Sequence, residues 1–199
     1  MPRTGLTAEQ IKEKAIEATL TKMREVGFEK VRLTDIAKEV GVSHAALYMH
    51  FKDKSELLDA VSKVWLLGLD ETLEAICRKR KDPRQKIHDW ALAIHRAKLK
   101  KVRLDPELYN AFDMASQQLK PFVKSHLETL HRQLFSLVNE AIAKSQLRNA
   151  DPELMTEIIS SAVMAFHHPR LVAQYVDEQR ESLLHQVIDS LLKGLNLKK

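Results

Sequence analysis

Apolar residues return every three to four positions along almost the whole chain, which is the period of a helix with one buried face, and no stretch alternates strictly. Ile11, Ala15, Thr19, Met23 and Val26 form a first stripe, and Gly27 is placed to cap its C-terminal end. A short second helix is predicted over Asp35–Val40, with Thr34 as its N-cap and Asp35 in the positive first turn. Gly41 stops it. Ser43 then caps a third short helix with Leu47 turned inward. Asp53 caps a fourth, with Glu56 three residues on as a capping box requires, and this one continues through Leu57, Leu58, Val61, Val64 and Trp65 toward Cys77. Prolines 83, 106, 121, 152 and 169 divide the remainder into helical stretches at about 83–103, 106–118, 121–146, 152–167 and 170–194. The pattern predicts an all-α chain of about nine helices, with an N-terminal three-helix module and a longer helical bundle behind it.

Composition agrees with that outline. Five glycines and six prolines in 199 residues are few for a turn-rich β fold, and 44% apolar residues are enough for a core. The longest uncharged apolar run, Val64 to Leu69, is far short of the roughly 20 residues that cross a bilayer, so no membrane partner is expected. Met1-Pro2-Arg3-Thr4 lacks the character of a secretory leader, and one cysteine cannot pair within the chain. A reducing cytoplasm is the expected setting. The net charge of +5 is compatible with nucleic acid without demanding it. Its distribution says more, because residues 78–103 hold eleven Lys/Arg against two Asp/Glu. That run reads as a solvated face, a seat for an acidic ligand, or extra contact with DNA phosphates.

The informative segment runs from Thr34 to Phe51, where two helices of about two turns meet at Gly41. Ile36, Ala37, Val40, Val42, Leu47 and Phe51 supply the apolar clamp between them. An ordinary αα-corner has this pattern, and so does a helix-turn-helix whose second helix enters the major groove. The exposed face of the second helix favours the latter. His44, Ala45, Ala46 and Tyr48 are hydrogen-bonding or small, suited to base edges and methyl groups. His50, Lys52 and Lys54 follow as donors suited to phosphates.

At Gly27-Phe28, Leu33-Thr34, Ile36-Ala37, Gly41-Val42-Ser43, Leu47-Tyr48, Phe51-Lys52, Lys54 and Leu57-Leu58 the sequence resembles the TetR family of bacterial transcription regulators. The resemblance implies a DNA-binding domain over residues 1–54 and an effector-binding and dimerisation domain over 55–199. It further implies a homodimer that reads a near-palindromic double-stranded DNA operator, acts most often as a repressor, uses no cofactor, and is released by a small, largely apolar effector. Thr34, Ser43, His44, Ala45, Ala46, Tyr48, His50 and Lys54 occupy the family's DNA-contacting positions. Many relatives carry Lys or Arg at the His44 position and Gly or Thr at the Ala45-Ala46 pair. Base discrimination here is therefore expected to rest on His44 and on methyl contacts.

For the effector, the middle helices offer Trp65, Trp90, Ile94, His95, Tyr109, Phe112, Met114, Phe122 and His126, a mixture of aromatic and polar groups that also suits an ordinary core. For the dimer, the last helices offer Ile158, Ile159, Ala162, Phe166, Leu184, Val187, Ile188 and Leu191, which would otherwise close the monomer core. In the mechanism the resemblance suggests, ligand between helices five to seven tilts helix four, with Gly68 as a flexible point or simply a site of close packing. An enzyme finds little support. The nine histidines lack metal-ligand spacing, no metal site is expected, and neither a Gly-rich phosphate loop nor a nucleophile elbow occurs. Cys77 reads as a small buried apolar residue rather than an oxidant sensor.

Overall fold

A computed structural model describes residues 5–148 and 150–196; Met1-Pro2-Arg3-Thr4 lie outside the described residues. Among the described residues the chain is all-α: α1 (Ala8–Val26), α2 (Leu33–Val40), α3 (His44–Tyr48), α4 (Lys54–Cys77), α5 (Pro83–Leu104), α6 (Pro106–Gln117), α7 (Pro121–Ala143), α8 (Pro152–Ala162), α9 (Met164–His167), α10 (Pro169–Gln174) and α11 (Glu181–Gly194), with a 3-10 turn at Phe28–Lys30. Pro83, Pro106, Pro121, Pro152 and Pro169 each occupy the first position of a helix, where a missing N–H costs nothing. Thr7 and Gln10 close a capping box at the start of α1. At α4 the Asp53 carboxylate accepts from Glu56 N at 2.8 Å, and Glu56 reaches back to Lys52 N, one residue further than the expected box.

Two expectations about helices change. The stretches 152–167 and 170–194 form four helices rather than two, with breaks at Val163 and over 175–180. The second break is held by Arg180, whose guanidinium lies over the rings of Phe166 and Tyr175 at 4.7 and 4.2 Å and donates to Ala165 O at 3.1 Å. The second helix starts at Leu33 with Arg32 as its cap, so Thr34 sits inside the first turn instead of capping it.

The chain divides into two compact units, Met1–Trp65 with Asp105–Phe122, and Leu66–Leu104 with Val123–Lys199. The division differs from the expected boundary at 54, because the start of α4 and the whole of α6 pack with the first three helices. In the first unit Ile11, Ala15, Met23, Ile36, Leu47, Phe51 and Leu57 enclose a core that takes Leu108 and Ala111 from α6. Polar contacts hold α6 at both ends. Arg24 pairs with Asp105, Phe28 N donates to Glu107 Oε2 at 2.8 Å, and Lys120 Nζ reaches Asp59 and Ser55 at 2.7 and 2.8 Å. Leu119, just before Lys120, has a φ of 47°, a left-handed conformation that costs a non-glycine residue about 1–2 kcal/mol.

In the second unit α5, α7, α8, α9 and α11 pack with the later part of α4 around Leu73, Ile87, Ile94, Leu137, Ile159, Phe166 and Ile188. The basic run is largely tied into this unit. Lys86, only 3% exposed, pairs with Glu140 and donates to Cys77 O at 3.0 Å. Arg78 pairs with Glu74, Lys81 with Asp89 and Arg96 with Glu181, while Arg103 donates to Val176 O. Cys77 is half-buried, and burial, followed by the charge of Glu74, pushes its thiol up to about 11. It stays protonated and a poor nucleophile, as a small core residue would.

Candidate nucleic-acid interface

The corner between α2 and α3 forms as the glycine demanded. Gly41 takes φ 78° and ψ 27°, and the Val42 N–H returns to Ala37 O at 2.9 Å while Gly41 N bonds Lys38 O, which satisfies the carbonyls at the end of α2. A Cβ at Gly41 would meet no atom within 4 Å, so Gly41→Ala is expected to cost only the left-handed backbone, about 1–2 kcal/mol in urea unfolding. Gly68→Ala is the matched control. It lies exposed within α4, also with open space around it, so close packing is not its role and alanine should be neutral or stabilising there by up to about 1 kcal/mol.

Ser43 caps α3 by accepting from Ala46 N at 3.1 Å. This five-residue helix has a single buried side chain, Leu47, which is fully enclosed. Everything else on it faces outward or is half-covered. His44 and Ala45 are exposed, Ala46 is half-buried, and Tyr48 is 43% exposed. The rings of His44 and Tyr48, one turn apart, meet edge to face with centroids 4.4 Å apart, which holds both in place on the surface. Thr34 is exposed at the start of α2, where free backbone N–H groups favour an anion, and His50 is half-buried. Lys54 is less free than expected, because its ammonium donates to Glu29 O in the middle of the 3-10 turn. Two exposed groups were not among the expected contacts: Arg32 at the cap of α2 and Met49, 84% exposed just after α3. Placing the start of α2 two residues late is what hid Arg32.

The nine effector candidates fall into two groups. Trp65, Tyr109 and Phe112 form an aromatic cluster in the first unit, with the Trp65 ring edge-on to Phe112 at 5.0 Å. Phe122 is half-buried in the same unit, and Met114 turns to solvent at 49% exposure. Trp90, Ile94, His95 and His126 are buried in the second unit. Their surroundings are more polar than the sequence suggested. Trp90 Nε1 donates to Gln133 Oε1 at 3.1 Å, Gln133 Nε2 donates to Asp70 O at 3.0 Å, and His126 Nδ1 lies 2.6 Å from Asp70 Oδ1. His95 bonds Phe166 O and His167 bonds Ala91 O. Lys98, buried, donates to His167 O at 2.6 Å; burial pushes its pKa down to about 8 while Asp70 draws it up. Asp70, Gln133 and Lys98 escaped sequence reasoning because their partners lie on other helices. The only available signal was Gln133, two turns beyond His126 and so on the same face of α7.

Asp70 and Gln133 also line an open groove of about 820 Å³ within the second unit, whose rim includes Glu74, Arg78 and Arg132. Of the dimer candidates, Ile159, Phe166, Leu184 and Ile188 are at most 3% exposed and pack in their own unit's core in the single chain. Ile158, Ala162, Val187 and Leu191 are half-buried, and Leu154 and Leu183 are about half exposed beside them. No helix among the described residues is long and apolar enough to cross a membrane, and no group of three or more His, Cys, Asp or Glu there is arranged to hold a metal ion.

Comparison with known proteins bears directly on this interface. Residues 15–61 match the family model described as bacterial regulatory proteins, tetR family, and residues 83–188 match that of the tetracyclin repressor-like C-terminal domain. The HTH-type transcriptional regulator BetI of Yersinia pestis (strain Pestoides F) is 32% identical over 74 residues, a match spanning 37% of this chain and 37% of that protein. The chain thus covers little more than a third of the curated relatives it matches first. A TetR/AcrR-family regulator from Thermobifida fusca superposes with a TM-score of 0.67 at 20% identity, over 92% of this chain and 97% of that one. The regulator FadR from Bacillus subtilis, solved with stearoyl-CoA, gives a TM-score of 0.61 at 17% identity, over 92% and 98% of the two chains. The likeness to these structures is one of fold. With its N-terminal match and a C-terminal match that alone exceeds half its length, the chain belongs to the TetR family of DNA-binding transcriptional regulators.

Proposed function

We propose that this regulator is a cytoplasmic homodimer that represses transcription from a near-palindromic operator and leaves it when a small molecule occupies the second unit. The observation that carries the reading is α3 itself, a short helix pinned by Leu47 and capped by Ser43, with His44, Ala45 and Tyr48 left outward. Ser43, His44, Ala45 and Ala46 approach base edges, while Thr34, Tyr48, His50 and Lys54 hold phosphates. The second copy is supported by the apolar positions at one-turn spacing, Leu154, Ile158 and Ala162 on α8 and Leu183, Val187 and Leu191 on α11, left partly open in the single chain. Two such helices from each copy would make a four-helix contact, and a near-palindromic operator calls for two recognition helices about 34–36 Å apart or a multiple of that. A hundredfold loss of DNA affinity on release needs about 2.8 kcal/mol of ligand preference for the released form.

DNA selected from a random pool tests the reading, with binding followed by retarded migration and the assembly by sedimentation. An inverted-repeat site bound by two chains is the expected outcome, and recovery of no preferred sequence overturns it. On the selected site, Tyr48→Ala and Lys54→Ala are expected to weaken binding to every sequence and to lower the salt slope by about one phosphate each. His44→Ala is expected to relax sequence preference instead. An unchanged salt slope for Lys54→Ala would assign that lysine to the Glu29 carbonyl alone.

A further inference from the structure

Of the buried polar atoms in the second unit that the fold leaves without a partner, one stands apart. His126 is 3% exposed and its Nδ1 is engaged by Asp70, yet its Nε2 is shielded from solvent and has no hydrogen-bond partner. Among the described residues it is the one unpartnered buried polar atom that belongs to a buried rather than a half-buried residue. Its geometry is fixed from behind. Asp70 accepts from Nδ1–H, and the Asp70 backbone is itself gripped by Gln133, which Trp90 holds in turn. In the neutral ring a carboxylate on Nδ1 selects the tautomer whose Nε2 carries a lone pair, and no described residue donates to it. Native proteins leave few such atoms bare, and a ligand is one way to supply the missing partner.

We propose that the second unit takes a neutral, mainly apolar ligand bearing a hydroxyl group, and that His126 Nε2 accepts the hydrogen bond from that hydroxyl. The inference rests on the reading of this chain as a ligand-released regulator and names the chemistry of its ligand. A hydroxyl matches the lone pair. Neutrality follows from the charges already inside, where the Asp70 carboxylate and the Lys98 ammonium act on one another, so that a charged ligand would bring a charge with no counterpart. Apart from these polar groups the core of the unit is mostly hydrocarbon, with Ile94 and Leu134 among its buried residues.

The test uses the full chain and two pairs of probes, phenol with anisole and 1-naphthol with 1-methoxynaphthalene, in each of which a methyl group replaces the hydroxyl proton. Nitrogen-15 NMR of the histidine rings, with the His126 resonances assigned by comparison with His126→Phe, is expected to show an unprotonated Nε2 that shifts when phenol or 1-naphthol is added. Each hydroxyl compound is expected to bind about tenfold more tightly than its methyl ether, the equivalent of about 1.4 kcal/mol, and the ratio is expected to fall to about one in His126→Phe. A protonated Nε2 overturns the proposal. So do equal affinities within each pair, a preference that survives in His126→Phe, or a resonance that none of the four compounds moves. If the variant does not fold, the wild-type resonance and the two ratios decide. DNA affinity is measured separately: hydroxyl compounds that engage His126 while leaving DNA binding intact support the site and overturn only the release reading.

Discussion

Leu47→Ala is expected to cost the first unit about 2–5 kcal/mol and to remove DNA binding almost entirely. Leu47 is fully enclosed and is the only side chain of α3 that reaches the core beneath it. A five-residue helix has no stability of its own, since nucleation is unfavourable and too few bonds follow to offset it. Its position therefore depends on that one anchor, on the Ser43 cap, and on Phe51 following it into the core. Truncating the anchor both opens a cavity and lets the helix leave its orientation, so DNA affinity should fall by more than the loss of folded protein accounts for. Thermal unfolding beside retarded migration, at a temperature where the variant is still folded, separates the two effects. Full DNA affinity in a folded Leu47→Ala chain would show that α3 is not positioned through this residue.

Acid is expected to destabilise the second unit well above the range in which carboxylates titrate. His167 packs against Trp90 and near Lys98 and His95, with its Nε2 on Ala91 O. Burial first, and the charge of Lys98 after it, push its pKa down from 6.5 to about 3, while the bond to Ala91 opposes them. The unfolded chain therefore takes up a proton near pH 6.5 that the native chain refuses until about pH 3. Stability is complete above that window and falls as pH falls through it, at up to about 1.4 kcal/mol per pH unit. Over the first two units this amounts to roughly 2–3 kcal/mol. His167→Gln retains a donor for Ala91 O but cannot titrate, so urea unfolding of this variant should show a shallower decline between pH 6.5 and 4.5. Equal declines in the two proteins would remove His167 as the group responsible.

The elements that proved easiest to foresee are those whose signals are local. Gly27 and Gly41 end α1 and α2 with positive φ, Ser43 and Asp53 cap the helices that follow them, and five prolines start five helices. In each case one residue's own conformational or hydrogen-bonding preference decides the outcome within a single turn. The break at 175–180 carried no such signal, because no glycine or proline marks it and it is held by Arg180 reaching Phe166, Tyr175 and Ala165. Leu119 is similar: a leucine adopts the conformation that glycine would take, next to a lysine anchored on Asp59.

The same division runs through the sites. Periodicity identified the apolar positions of α8 and α11 but could not say which of two buried directions each one takes. Ile159 and Ile188 face inward, whereas Ile158 and Val187 stay half open. A helix that is apolar around much of its circumference has more than one face to bury, and only its neighbours choose between them.

By itself, then, the sequence determined an all-α chain with a glycine-hinged pair of short helices and the outward residues of the second, because those features depend on contacts within a few residues. Only the tertiary structure decided that α6 packs with the N-terminal helices, held by Arg24–Asp105 and Lys120–Asp59, and that Asp70 stands behind His126. Those partners are 81, 61 and 56 residues apart, and which distant polar groups meet is fixed by how helices pack, not by any spacing along the chain.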